Sequence, residues 1–188
     1  MKVSPSDTAV YTRLSPLKGA VLGLLVQRPS YGYEIANLLE RQLGPSWSIV
    51  RPSLYRMLKK LETEGMLSSV SYEDTSLGRI VYSATDLAEG MFVAWMESPL
   101  PFEQGQLQLQ ARMVVARQED LPRLLVALNN HERVLFAKRA KIQADLPPRQ
   151  SLRSTMMFLV REAPIQQIAG ELLWVDVSRK TIRALIAS

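Results

Sequence analysis

Cysteine is absent from the 188 residues, and histidine occurs once, at His131. Without cysteine there is neither disulfide nor thiol chemistry, which fits a reducing compartment such as the cytoplasm. One histidine and no cysteine argue against a zinc site of ordinary ligand type, and no cofactor is expected. Long apolar runs are also missing. The longest uncharged apolar run, Gly19–Val26, falls far short of the roughly 20 residues that a bilayer-spanning helix needs. The N-terminal MKVSPSDTAVYTRLS has no apolar signal core, so neither export nor a membrane is expected. Glycines are scattered, which excludes a phosphate-binding loop, and His131 stands apart from any nucleophile. Glu62 and Glu64 lie two positions apart on a predicted helix and do not converge on one substrate. No enzyme is expected.

Acid is missing from one particular window. The formal net charge is +5, yet residues 1–98 hold ten Lys/Arg and ten Asp/Glu, so the excess belongs to residues 99–188. Between Arg41 and Lys60, however, the charges are Arg41, Arg51, Arg56, Lys59 and Lys60, without one carboxylate. Counterion release depends on cations that face phosphates, so this local cluster counts for more than the total.

What is present is organised around Arg51–Ser83. Leu54, Met57, Leu58 and Leu61 mark one apolar helical face, and Gly65 offers a C-cap. Val70 and Tyr72, then Ile80 and Tyr82, alternate with polar or smaller residues around a turn-forming Asp74–Gly78. A helix followed by a two-stranded hairpin is the winged form of the helix-turn-helix, which sets the helix in a DNA major groove. Upstream, Ser15-Pro16 starts one helix. Arg28-Pro29 stops it, Ser30 caps a second helix over Tyr31–Leu43, and Gly44-Pro45 ends that one. Downstream, Thr85-Asp86 caps a helix over Asp86–Glu97 whose centre, Met91–Met96, is apolar on every side. It must be buried all round; its own small domain can cover one side, and the second needs the C-terminal half or a second subunit.

Ser98–Gly105, with two prolines, reads as a linker. Amphipathic helices follow over Gln106–Arg117, over Leu121–Asp145 with Asp120 as its cap, and over Ser151–Ile186, where Pro164 should kink or divide the last. Such helices suit packing against their own copies across a two-fold axis. The chain is therefore read as mainly α: a winged helix-turn-helix over residues 10–98, then an α-helical dimerisation domain over residues 99–188.

The stretches SYGYEIANLLERQLG, PSLYRMLKKLETEGML and GRIVYSATDLAEG together resemble the PadR family of bacterial transcriptional regulators. The matching residues are Tyr31-Gly32-Tyr33-Glu34-Ile35, Ser53-Leu54-Tyr55, Leu58, Leu61-Glu62, Glu64-Gly65, Arg79, Tyr82, Thr85 and Gly90. They span about residues 15–97 in the right order. Family members often carry proline after the recognition-helix tyrosine, where this chain has the cation Arg56. The helical tail is similar by pattern to the longer branch of the family, whose C-terminal helices exchange between subunits. The resemblance implies a homodimeric repressor of a nearby operon, bound to a pseudo-palindromic operator and released by a small molecule or another signal.

Candidate contacts follow. Ser53 and Arg56 are assigned to base edges or nearby phosphates, Lys59 and Lys60 to phosphates, with Arg51 and Tyr55 beside them at the helix start. Charge runs are usually solvated helix faces; here the missing acids and the following hairpin favour DNA. Ser30 and Tyr31 stand at a helix N-terminus, which favours phosphate. Tyr31 resembles a family tyrosine that touches the DNA backbone, although packing beside Tyr33 explains it nearly as well. Arg79 on the wing is a backbone or minor-groove candidate. Met91, Phe92, Trp95 and Met96 read first as dimer core and second as the lining for a small apolar or aromatic effector. Two rival readings stay open: a winged-helix protein-interaction module, and a small-molecule binding protein, each without DNA binding.

Overall fold

The computed structural model describes residues 14–43, 47, 49–72, 79–100 and 104–187. The chain divides into two compact units, one within Met1–Pro99 and Leu107–Asp120, the other within Leu100–Gln106 and Leu121–Ser188.

In the first unit, α1 (Pro16–Gln27) begins as its sequence dictates, with the Ser15 hydroxyl accepting from the Lys18 amide and Pro16 in the first turn. β1 (Ser30–Tyr31) leads directly into α2 (Gly32–Leu43). α3 (Arg51–Thr63) feeds the wing strands β2 (Leu67–Tyr72) and β3 (Arg79–Ala84), and α4 (Asp86–Glu97) follows. The sheet is antiparallel and three-stranded, in the order β1-β3-β2. Ser30 pairs with Tyr82, and β2 pairs with β3 from Leu67–Ala84 to Tyr72–Arg79. The expected wing was two-stranded. Two residues are too short for a periodic signal, so β1 exists only because β3 offers it an edge. The expected turn Asp74–Gly78 lies outside the described residues.

The α3–β2 junction is a Schellman close. Gly65 has φ +72, its amide donates to the Glu62 carbonyl, and the Met66 amide donates to the Leu61 carbonyl. Thr85 caps α4 through its hydroxyl, and that hydroxyl also donates to the Gly65 and Met66 carbonyls. The wing's first strand and α4 are thus tied at one side chain.

α5 (Gly105–Val115) packs on the first unit from Leu107 onward, whereas the sequence reading grouped it with the C-terminal helices. The reason lies in its polar residues. Gln108 accepts from the Trp95 indole at 2.8 Å and donates to the Leu14 carbonyl at 2.9 Å. The Arg112 guanidinium is 1% exposed and donates to the Met96 and Ser98 carbonyls and the Ser98 hydroxyl. Its centre lies 5.4 Å from the Trp95 ring centroid. Burial without a facing carboxylate lowers the Arg112 pKa to about 10.

The second unit is a helical hairpin. A short 3-10 turn, Gln118–Asp120, precedes α6 (Leu121–Ala144), which packs on the 36-residue α7 (Leu152–Ala187). α7 runs through Pro164 without division, one of the two outcomes expected there, and Ile165 and Ile168 are buried just beyond it. His131 is a packing residue, buried against Gly105 and hydrogen-bonded to Glu171 at 2.6 Å. Arg179 grips the two oxygens of Glu132 at 2.7 and 2.9 Å. That pairing, chiefly through hydrogen bonds, holds the Glu132 carboxyl below the ordinary carboxylate range.

Candidate nucleic-acid interface

α3 buries one stripe, Leu54, Leu58 and Leu61, and leaves the rest outward. Met57, expected on that stripe, is only half-buried. At 3.6 residues per turn the outward surface divides into two flanks. Ser53, Met57, Lys60 and Glu64 share one, Tyr55, Lys59 and Glu62 the other, and Arg56 projects between them.

The first flank faces the start of α1. Ser15, Lys18, Ser53, Arg56, Met57 and Lys60 line an open groove of about 400 Å³. The Glu64 carboxylate bridges two cations there, Lys18 at 2.9 Å and Lys60 at 3.8 Å. The second flank faces the wing. The Lys59 ammonium donates to Glu62 at 2.8 Å, and the Ser69 hydroxyl of β2 donates to the other Glu62 oxygen. The Lys59 bond, then the Ser69 bond, holds the Glu62 carboxyl below its ordinary range, and the same contact raises Lys59.

Arg51 donates to the Asn37 side chain at 2.8 Å and lies 3.6 Å from Glu40. Arg56 donates to the Ser53 hydroxyl at 3.1 Å. The acid-free window in the chain is therefore not acid-free in space: Glu40, Glu62 and Glu64, all outside it, reach three of its cations. Glu62 and Glu64 stand one helical turn beyond their lysines, just past the window's end, and only the Glu40–Arg51 pair was concealed by sequence distance. Lys18 was missed altogether, because a lone lysine at the start of an apolar helix carries no pattern.

Tyr55 is half-exposed and leans over Gly32, where an added Cβ would stand 2.6 Å from its ring. Tyr31 stacks on Tyr33 with centroids 5.7 Å apart, and its amide donates to Glu34 three residues on. Ser30 corrects the sequence reading. It pairs in β1 and is 8% exposed, so it neither begins α2 nor presents its hydroxyl freely to a ligand. Arg79 opens β3 opposite Tyr72; its side chain lies outside the described residues.

Met91, Phe92, Trp95 and Met96 are each at most 4% exposed within the single chain. Gly19 and Gly23 of α1 let that helix lie directly on them: an added Cβ would stand 2.3 Å from Trp95 and 2.7 Å from Phe92. α1 covers one side of them, and α5, from the C-terminal half, supplies the second, one of the two sources expected from the sequence. No group of three or more metal-binding side chains occurs among the described residues, and no helix there is long and apolar enough to cross a membrane.

The sequence profile of the transcriptional regulator PadR-like family matches residues 21–90, which contain α2, α3 and the wing. The negative transcriptional regulator PadR of Bacillus subtilis is 33% identical over 88 residues, covering 45% of this chain and 48% of that protein. A probable transcriptional regulator of Mycobacterium tuberculosis is 26% identical over 85 residues, covering 45% of each. The chain thus spans about half the length of the curated relatives it matches. Among solved structures, Bacillus subtilis PadR in complex with operator DNA is 22% identical with a TM-score of 0.42, over 87% of this chain and 97% of that one. The same protein with p-coumaric acid is 22% identical with a TM-score of 0.39, over 90% and 99%. Over residues 21–90, from α1 through the wing to the start of α4, this chain is similar to the transcriptional regulator PadR-like family.

Proposed function

We propose that this protein is a sequence-specific DNA-binding transcriptional regulator, a homodimeric cytoplasmic repressor released by a small molecule or another signal, and not an enzyme. One observation carries the reading: α3 presents Arg56, Lys59 and Lys60 outward beside the β2–β3 wing of a three-stranded sheet. In this arrangement Ser53 and Arg56 reach base edges or adjoining phosphates. Arg51, Tyr55, Lys59 and Lys60 take phosphates, with Tyr31 and Arg79 at the margins. Ser30, being buried, is withdrawn from that set. The repressor reading draws on the Bacillus subtilis relative, described as a negative regulator.

Dimerisation is supported by α7, which exposes Leu152, Met156, Met157, Leu159, Val160, Leu173 and Val177. An apolar surface of that extent on a long helix suits a second copy, which would present two recognition helices about 34 Å or a multiple apart. An effector reaching Trp95 must first displace α1 or α5.

The test is fluorescence anisotropy on the protein's own upstream intergenic DNA against a shuffled duplex, across a salt series. Preference for the first, with log K falling steeply with log salt, is the expected result; a slope implying about 6–10 phosphate contacts suits a dimer. Lys59→Ala with Lys60→Ala should weaken binding to every sequence and flatten the slope, and unchanged binding would remove α3 from the groove. A second reading, an interaction module without DNA binding, is favoured by the carboxylates that already engage Arg51, Lys59 and Lys60. Equal and weak binding to both duplexes at low salt would support it.

A further inference from the structure

Resting on the DNA-binding reading, we propose that the groove between α1 and α3 is a seat for the DNA phosphate backbone, and that Glu64, paired with two of its lysines in the free protein, is an internal competitor. Lys18 joins Arg56 and Lys60 there, although 42 positions of chain separate Lys18 from Lys60 and no motif links them. Ser15 and Ser53 add two hydroxyls at the rim. Three cations against one carboxylate leave the groove net positive even with Glu64 in place.

Glu64 touches both lysines, so one carboxylate stands where a phosphodiester oxygen would stand. Both pairs are solvent-accessible, with side-chain exposures of 22% for Lys18, 74% for Lys60 and 32% for Glu64. An exposed pair of this kind is weak and exchangeable. A phosphate entering the groove takes over the two lysines, and Glu64, whose side-chain partners among the described residues are those two lysines, swings out as an uncompensated charge that opposes binding.

The second flank repeats the plan less freely. Glu62 holds Lys59 but is also held by Ser69, so it is anchored to the wing and remains in place. The two edges of α3 therefore differ: the α1 edge exchanges its carboxylate for phosphate, and the wing edge keeps it. Backbone contacts of this sort set affinity and register and are indifferent to sequence.

The experiment is salt-dependent anisotropy with a random-sequence duplex pool, using the full chain. Glu64→Gln should tighten binding about two- to fivefold at low salt, the range that an exposed pair commands. A misfolded variant cannot produce that gain. Lys18→Ala should weaken binding and lower the magnitude of the salt slope by about 0.9, the value for one phosphate contact. The Glu64→Gln gain should shrink in the Lys18→Ala background. Wild-type affinity and slope in both variants, with Arg56→Ala and Lys59→Ala still weakened, would overturn the seat and leave the DNA reading intact. Weaker binding by Glu64→Gln would also overturn it. Failure of the wild-type protein to bind any duplex at low salt would remove the DNA reading, and the seat with it.

Discussion

Single side chains settle how the first unit is filled. Gly19 and Gly23 are small because Trp95 and Phe92 occupy the space that a side chain would need. Gly19→Ala should cost roughly 1–3 kcal/mol through overpacking, read from urea unfolding; a smaller loss would mean that Trp95 yields easily. Arg112 is the harder case, a buried cation whose compensation is three oxygen acceptors and an indole face. Its Nε has no hydrogen-bond partner. Arg112→Ala should strand the Met96 and Ser98 carbonyls and open a cavity, at a cost of about 2–4 kcal/mol in the same measurement. Nothing in the local sequence marks Arg112 as buried, since arginine is ordinarily a surface residue.

Elements show the opposite balance, because their ends were written locally. Ser15, Thr85 and Gly65 act as the caps their types predict, and the α3 stripe of Leu54, Leu58 and Leu61 is buried as its period requires. Tertiary context overrode local rules where an element needed a neighbour. Ser30 gave up its capping place to pair with β3, and α7 continues through Pro164 with Ile165 and Ile168 buried just beyond it. At this scale Thr85→Ala should loosen the wing together with α4. It removes a cap and two further hydrogen bonds, and about 1 kcal/mol of stability is expected to go with the cap alone. Hydrogen exchange should quicken both at the start of β2 and in the first turn of α4; quickening confined to α4 would separate the two.

The molecule as a whole is expected to respond to acid through the second unit. Glu132 is held below its ordinary carboxylate range by Arg179. A depressed folded-state pKa stabilises the hairpin above the unfolded value, about 4.3 for glutamate, and that stability is lost as pH falls through the folded value. Helicity followed by circular dichroism should therefore decline below about pH 4, and Glu132→Gln should be less stable at neutral pH but change less on acidification. Identical acid profiles would assign the loss to other carboxylates. Assembly belongs to this scale too: sedimentation should show a dimer, and charged replacements at Met156 and Val160, both exposed on α7, should dissociate it without unfolding α3 and the wing.

The sequence alone determined what depends on neighbours along the chain: helix starts and stops, the buried stripe of α3, the alternation of the wing strands, and hence the winged-helix order. These follow from backbone sterics and hydrophobic period, which act over a few residues. Only the tertiary structure decided which remote groups meet. It brought Gln108 and Arg112 to Trp95, turning an expected dimer or effector surface into an enclosed core. It also carried Glu64 to Lys18 and Glu40 to Arg51, so that a stretch reading as bare positive charge is partly answered by acid. Electrostatic interaction depends on distance in space, and a linear count of charge does not contain it.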